Sequence, residues 1–218
     1  MQAWLRREFA AAFAGPGAQL ALSERSDRRQ QTDPVKTAVL VIDVQQGLCE
    51  GDGAAFDCAG TISRINSVTR KARQANAPVI FVQHESASGY LAHGSSDWQL
   101  ARGLEVQPTD ITIRKTTPDS FLRTHLASML NGAGVQEVVI CGMHSEFCVD
   151  TTTRSALAQG LSVILVSDGH TSAGNAALSP QQVIAHENAT LANITSFGPR
   201  ARAVRSVDVQ ITAAQTAT

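Results

Sequence analysis

Six short stretches of this chain constrain its fold more than anything else: Thr37 to Ile42 (TAVLVI), Pro78 to Val82 (PVIFV), Ile111 to Arg114 (ITIR), Val138 to Cys141 (VVIC), Ser162 to Val166 (SVILV) and Ala203 to Val207. Most are continuous β-branched runs. Continuous runs, unlike alternating ones, mark strands covered on both faces, as in a parallel sheet sandwiched by helices. Between them Ile62, Ile65, Val68, Ala72 and Ala75 recur at helical spacing, as do Phe121, Leu122, His125, Leu126, Met129 and Leu130. A third helix opens at Ser179-Pro180 with Gln182 at the capping-box position, turning Val183, Ile184, Leu191 and Ile194 inward. The βαβα alternation, with right-handed crossovers, predicts an α/β fold: a doubly wound, mainly parallel six-stranded sheet with helices on both faces, Rossmann-like in its winding.

Composition excludes several partners. The chain has 218 residues, with 18 Lys+Arg against 19 Asp+Glu and a formal net charge of -1. A chain this long can bury roughly 70% of its unfolded surface without metal or disulfide staples. Neither nucleic acid nor a membrane surface suits so balanced a charge, since both select clustered positive residues. No apolar run approaches the roughly 18 to 20 residues that cross a bilayer. The four cysteines form no CxxC pair, so a disulfide framework is not expected and a reducing cytoplasm is the simplest setting. Residues 1–34 read as an N-terminal extension or arm, 35–210 as the folded domain and 211–218 as a tail. Arg6-Arg7 before an Ala/Phe-rich segment also has the outline of an export signal, but Gly15, Pro16 and Gly17 interrupt the apolar part and no clear cleavage site follows.

In a doubly wound sheet, chemistry sits beyond the carboxyl ends of the strands, near the point where strand order reverses. Three reactive residues fall at such ends. Asp43 follows TAVLVI directly, Lys115 follows ITIR directly, and Cys148 lies at the start of the helical segment Val149 to Gln159. Singly, each has a bland reading: a helix cap, a solvated ammonium, a small hydrophobe. Together they supply a thiol nucleophile, a charge to stabilise its thiolate and a carboxylate to carry its proton. A helix N-terminus and a nearby ammonium pull a thiol from about 8.5 to roughly 7.5 or lower, so Cys148 is expected to be alkylated ahead of Cys49, Cys58 and Cys141 at neutral pH. Backbone N–H groups at the helix start suit an oxyanion hole.

The segments TAVLVIDVQQGL, ITIRKTTPDSF and VVICGMHSEFCVDTTTRSALAQGLSVILVSDG resemble the isochorismatase-like cysteine hydrolases, which include nicotinamidases, N-carbamoylsarcosine amidohydrolases and other small-amide hydrolases. Their most specific piece is G-x-x-x-[DE]-x-C-V-x-x-T, here Gly142, Glu146, Cys148, Val149 and Thr152, followed by Ala156 and Gly160. The resemblance covers about Lys36 to Ile194 and implies the isochorismatase-like hydrolase fold. It implies Asp43, Lys115 and Cys148 as a catalytic triad, a cis peptide between Met143 and His144, and an oxyanion hole from the backbone amides of His144 and Cys148. The implied reaction is hydrolysis of a C–N amide or ureido bond of a small molecule through a thioester on Cys148, releasing ammonia or an amine without a cofactor. A homo-oligomer, dimer or tetramer, is implied as well. The alternatives are a vinyl-ether hydrolase of the isochorismatase type, against which Cys148 argues, and a noncatalytic binding member of the same fold.

No metal is expected. The nicotinamidase branch carries an Asp-x-His site after its catalytic Asp, but Val44 to Gly60 contains no His, leaving Asp52 and Asp57 without His partners. Nicotinamide is therefore disfavoured as substrate. His125 and His186 fall within predicted helices and read as structural. His84 borders the site, orienting a loop or touching substrate. The Gly/Ser-rich segment Glu85 to Gly103, with Tyr90 and Trp98, has the composition of a loop over a pocket, although Trp98 reads equally as a core anchor. Phe147 is a candidate pocket wall, and Gln45 a candidate ligand or triad contact. No Arg or Lys is visibly aimed at a carboxylate, which favours a neutral or weakly polar amide.

Overall fold

A computed structural model of the chain describes residues 35–212. The arm assigned to 1–34 and most of the tail, 213–218, lie outside the described residues. The elements run β1 (Thr37–Ile42), α1 (Gln46–Cys49), α2 (Cys58–Gln74), β2 (Val79–His84), β3 (Ile111–Lys115), α3 (Leu126–Gly132), β4 (Glu137–Met143), a π-helical turn (Ser145–Val149), α4 (Asp150–Ala158), β5 (Ser162–Thr171), α5 (Pro180–Ala192) and β6 (Ala201–Val204). They build one six-stranded sheet in the order β3-β2-β1-β4-β5-β6. Every neighbouring pair is parallel.

All six residues of β1 are buried, and their side chains alternate between two cores. Leu40 and Ile42 pack with Ile80, Val82, Leu126, Leu130, Leu157 and Leu191 on one face. Val39 and Val41 pack with Ile65, Val68 and Phe81 on the other. This two-sided burial is why the strand sequences read as unbroken apolar runs. The strand order reverses between β1 and β4, the central pair, which is where a doubly wound sheet places its ligand site.

The helix starts follow from local chemistry. At α5 the Ser179 side chain accepts from the Gln182 N–H while Gln182 reaches back, with Pro180 in the first turn. At α2 the Asp57 side chain accepts from the Gly60 N–H. Three expectations are corrected. The helix expected from Phe121 begins only at Leu126, because Arg123 has φ 60° and the Asp119 and Thr124 side chains take up local backbone N–H groups. His125 is accordingly the residue before α3, not within it. β5 continues to Thr171, five residues beyond Val166. β6 spans Ala201–Val204, beginning before the expected Ala203 and stopping short of Val207.

Gly142 shows how closely β1 and β4 approach. Its φ is +123°, and a Cβ there would lie 2.0 Å from the Ile42 carbonyl oxygen. Nothing but hydrogen fits. The Gly142→Ala variant is expected to lose roughly 2–4 kcal/mol of stability, from combined backbone strain and collision with a central strand, read as a lower urea midpoint at unchanged m-value.

Candidate active site

Three strand ends and one turn deliver the site. β1 leads directly into Asp43, which has φ 53° and is 1% exposed. Its backbone N–H donates to the Val82 carbonyl at 2.8 Å, tying it to β2. β3 ends at Lys115, whose side chain is fully buried. β4 ends at Met143, the Met143–His144 peptide is cis, and the π-helical turn that follows carries Cys148. The turn starts earlier than the helix expected from Val149.

Lys115 is the hub. Its Nζ donates to Asp43 Oδ2 at 2.6 Å, to Cys148 Sγ at 3.2 Å and to the Thr117 carbonyl at 3.1 Å, and lies 3.5 Å from His84 Nδ1. An ammonium has three protons, so the carboxylate, the sulfur and the carbonyl account for them. Ligating atoms of Asp43, His84 and Cys148 all lie within 4.8 Å of one another. That is a donor set a metal ion could use, but the ammonium already fills the cationic position at its centre. The second carboxylate oxygen, Asp43 Oδ1, is buried without a hydrogen-bond partner among the described residues.

The electrostatics differ from expectation in one respect. Cys148 is not depressed: burial, and then the Asp43 carboxylate, push its thiol up to about 12, outweighing the opposing pull of Lys115. The expected ammonium effect exists, but Lys115 is neutralised by a carboxylate at closer range than the sulfur. Cys148 therefore rests as a thiol. Burial and the Lys115 ammonium likewise hold His84 below the ordinary imidazole range, so it is neutral near pH 7. Cys58, by contrast, is lowered by hydrogen bonding from Cys49.

The expected peripheral contacts divide. His84 joins the cluster through its ring. Gln45 is corrected: it is wholly buried, its Nε2 donates to the carbonyls of His84 at 3.0 Å and Trp98 at 2.8 Å, and its Oε1 accepts from the His84 N–H at 2.9 Å. With both amide protons spent on backbone, Gln45 is a staple and not a ligand contact. Gln83 holds the same Trp98 carbonyl at 2.9 Å, so the long loop between β2 and β3 is pinned at Trp98. The indole packs edge-on to His93 with centroids 4.7 Å apart, while Trp98 Nε1 is buried without a partner. The Tyr90 hydroxyl donates to the Gly47 carbonyl, and the residue is 54% exposed. Phe147, next to Cys148 in the turn, is 56% exposed, with its ring centroid 6.4 Å from that of His144.

Other residues hold the site together without having been expected to. Thr152 is wholly buried; its hydroxyl accepts from the Ser120 N–H at 3.1 Å and lies 2.9 Å from Ser120 Oγ, joining α4 to the loop that leaves Lys115. Ser145 Oγ lies 2.8 Å from His170 Nδ1, and Glu146 accepts from the Ser172 hydroxyl at 2.7 Å. Both bonds run from the Cys148 turn to the end of β5. Thr152 stood in the motif, so it was visible as a position though not as a pin. His170 and Ser172 carried no signal, because Ser167-Asp168-Gly169 before them reads as a turn.

Comparison with known proteins supplies the context. Residues 37–196 match the family model of the Isochorismatase domain. A streptothricin hydrolase of Streptomyces noursei is 37% identical over 134 residues, 61% of this chain and 49% of its own length. A second from the same organism is covered to 53%, so the chain spans about half the length of these curated relatives. The ureidoacrylate amidohydrolase RutB of Methylobacterium radiotolerans is 29% identical over 202 residues, covering 76% of this chain and 75% of that protein. Among solved structures, one described as an isochorismatase family protein matches with TM-score 0.71 at 34% identity, over 77% of this chain and 97% of that one. The N-carbamoylsarcosine amidase of Thermoplasma acidophilum shares the fold, with TM-score 0.67 at 20% identity, over 81% of this chain and 99% of its own.

The resting thiol sets an alkylation order. At pH 7–8 iodoacetamide is expected to modify Cys58 before Cys148, as followed by peptide mass spectrometry. Replacing Asp43 by Asn removes a charge that raises the Cys148 thiol and leaves Lys115 unopposed. Asp43→Asn should therefore speed Cys148 alkylation at neutral pH by about 10-fold or more; an unchanged or slower rate contradicts this account of the site.

Proposed function

The chain belongs to the isochorismatase family, and from that premise we propose that it is a cysteine-dependent amidohydrolase cleaving a C–N amide or ureido bond of a small molecule. The observation carrying this reading is the fully buried Lys115 ammonium, 2.6 Å from Asp43 Oδ2 and 3.2 Å from Cys148 Sγ. Such an ammonium steadies an anion on either neighbour, which is what a proton moving between thiol and carboxylate requires. The streptothricin hydrolase, the ureidoacrylate amidohydrolase and the N-carbamoylsarcosine amidase among its relatives and neighbours are consistent with C–N substrates.

The reaction begins with a neutral thiol. As the carbonyl carbon comes within reach, Asp43 accepts the Cys148 proton, on Oδ1 or through a shift at Oδ2, and the sulfur forms a bond to that carbon. The carbonyl π pair moves to oxygen, where the backbone N–H groups of His144 and Cys148 stabilise the alkoxide. Collapse of the adduct breaks the C–N bond. Asp43 returns its proton to the departing nitrogen, which leaves as ammonia or an amine, and a thioester remains on Cys148. A water molecule, losing a proton to Asp43, attacks the thioester; the carboxylic acid departs and the thiol is restored. Lys115 stays protonated throughout. All covalent steps belong to side chains of this protein, the substrate and water. The assembly expected in solution is a homo-oligomer.

A panel of ureido and amide compounds, including maleamate, carbamoyl amines and biuret, assayed for ammonia tests the reading. Cys148→Ala is expected to lower turnover of any responding compound by at least about 10³-fold, and Asp43→Asn by a similar factor, with circular dichroism unchanged. Undiminished ammonia release from Cys148→Ala would rule the thioester out.

A further inference from the structure

Two buried residues of the chain, Ser145 and His170, are 0% and 1% exposed and neither touches the Lys115 cluster. Their placement comes from an irregularity in the sheet. β4 and β5 pair regularly to Ile140↔Leu165, then resume at Gly142↔His170. Between these pairs β4 advances two residues and β5 advances five. The bulge lets β5 continue past the apolar run and carry His170 up beside the Cys148 turn.

The hydrogen-bond directions can be assigned by elimination. Asn188 Nδ2 donates to the Ser167 carbonyl at 2.9 Å, which turns Oδ1 toward the imidazole. Oδ1 only accepts, so the His170 Nε2 that lies 3.1 Å from it carries the ring proton. Burial holds this ring below the ordinary imidazole range, so Nδ1 keeps its lone pair. The Ser145 hydroxyl, 2.8 Å away, must then be the donor. Ser145 is thus held in one orientation by a chain running through β5 to α5. It also sits between His144 and Cys148, whose N–H groups would stabilise the alkoxide, and its own carbonyl accepts from the Asp150 N–H at the end of the turn.

We propose that His170 is a positioning residue that, through Ser145, fixes the turn from His144 to Cys148 in the geometry that receives developing negative charge. This deepens the hydrolase reading and rests on it. The sulfur is held separately by Lys115, so His170 governs the receiving oxygen site and not the nucleophile. Loss of its acceptor nitrogen should therefore slow attack on a carbonyl but leave direct displacement at sulfur unaffected.

Two reagents separate these effects. p-Nitrophenyl acetate acylates a thiol through a tetrahedral alkoxide and releases p-nitrophenolate, whereas iodoacetamide alkylates it by displacement of iodide with no alkoxide. Both are applied to the full chain, with Cys148 modification followed by peptide mass spectrometry. In His170→Phe, which keeps ring bulk without the acceptor, Cys148 acylation is expected to fall about 10-fold or more while its alkylation stays within about twofold. His170→Asn, whose amide oxygen can replace Nδ1, should recover most of the acylation rate. Ser145→Ala should reproduce the selective loss and serves as the smaller change if His170→Phe folds poorly. Both rates falling together, no change in either, or failure of His170→Asn to recover overturns the proposal. An unmodified protein with no acylation at Cys148, or Cys148→Ala with undiminished amide turnover, instead counts against the thioester chemistry itself.

Discussion

A carboxylate and an ammonium removed from water each lose several kcal/mol of hydration, and the Asp43–Lys115 pair recovers this only through close contact. The pair is 2.6 Å apart with both side chains almost fully covered, and the ammonium finds further acceptors in the Thr117 carbonyl and the Cys148 sulfur. Apolar residues of the same volume would hold these strand ends together at least as well. The arrangement is therefore poorly explained by stability. It is well explained as a device for keeping opposite charges, of fixed orientation, beside one sulfur. Much of the surrounding structure follows from holding it. Asp43 sits in a left-handed conformation anchored to β2, the β3 loop is pinned to α4 by Thr152, and Gln45 locks the backbone of His84 beside the ammonium.

The same pair explains why the thiol is raised. An isolated ammonium 3.2 Å from sulfur would favour thiolate, and a free carboxylate would oppose it. Paired, their fields largely cancel at a distance and leave desolvation as the dominant influence on Cys148. In the proposed reaction this neutrality is an advantage. A resting thiolate would react with passing electrophiles and oxidants, whereas a thiol whose proton moves only as the carbonyl arrives is unreactive until substrate is positioned.

What could be read from the chain before its structure follows from how each feature is encoded. Strands buried on both faces leave an unbroken apolar signature, so β1 matched to the residue and the sheet to its strand count. Asp43 and Lys115 were legible because they abut those runs, and Cys148 because of the motif around it. The extension of β5 was not, since a bulge lets a strand pass through Ser167-Asp168-Gly169 and the local chemistry spells a turn. Phe121 and Leu122 kept the helical period without the helix, because burial of Phe121 in the core satisfies the apolar spacing from a non-helical backbone. Gln45 beside Asp43 was legible as a position but not as a staple, because sequence does not disclose whether a polar group has already been claimed by backbone.

The Gln45 staple and the His170 chain point to one division of labour within the site. Asp43 and Lys115 lie at strand ends, where side chains emerge from a rigid sheet at fixed spacing, and Cys148 lies on the turn that follows β4. Groups that hold them lie one layer out: Gln45 and Gln83 act on the backbone of His84 and Trp98, Thr152 on the Ser120 N–H, and Ser145 and Glu146 on the side chains of His170 and Ser172 at the end of β5. A backbone acceptor exists at every residue, so such holders can come from many positions and leave no spacing rule. The consequence is directional. The outer layer can change while the Asp43, Lys115 and Cys148 geometry stays fixed, provided each replacement still meets the same backbone or hydroxyl group. In the proposed hydrolase, selectivity can then change through the loop between β2 and β3 without disturbing the charge pair at the centre.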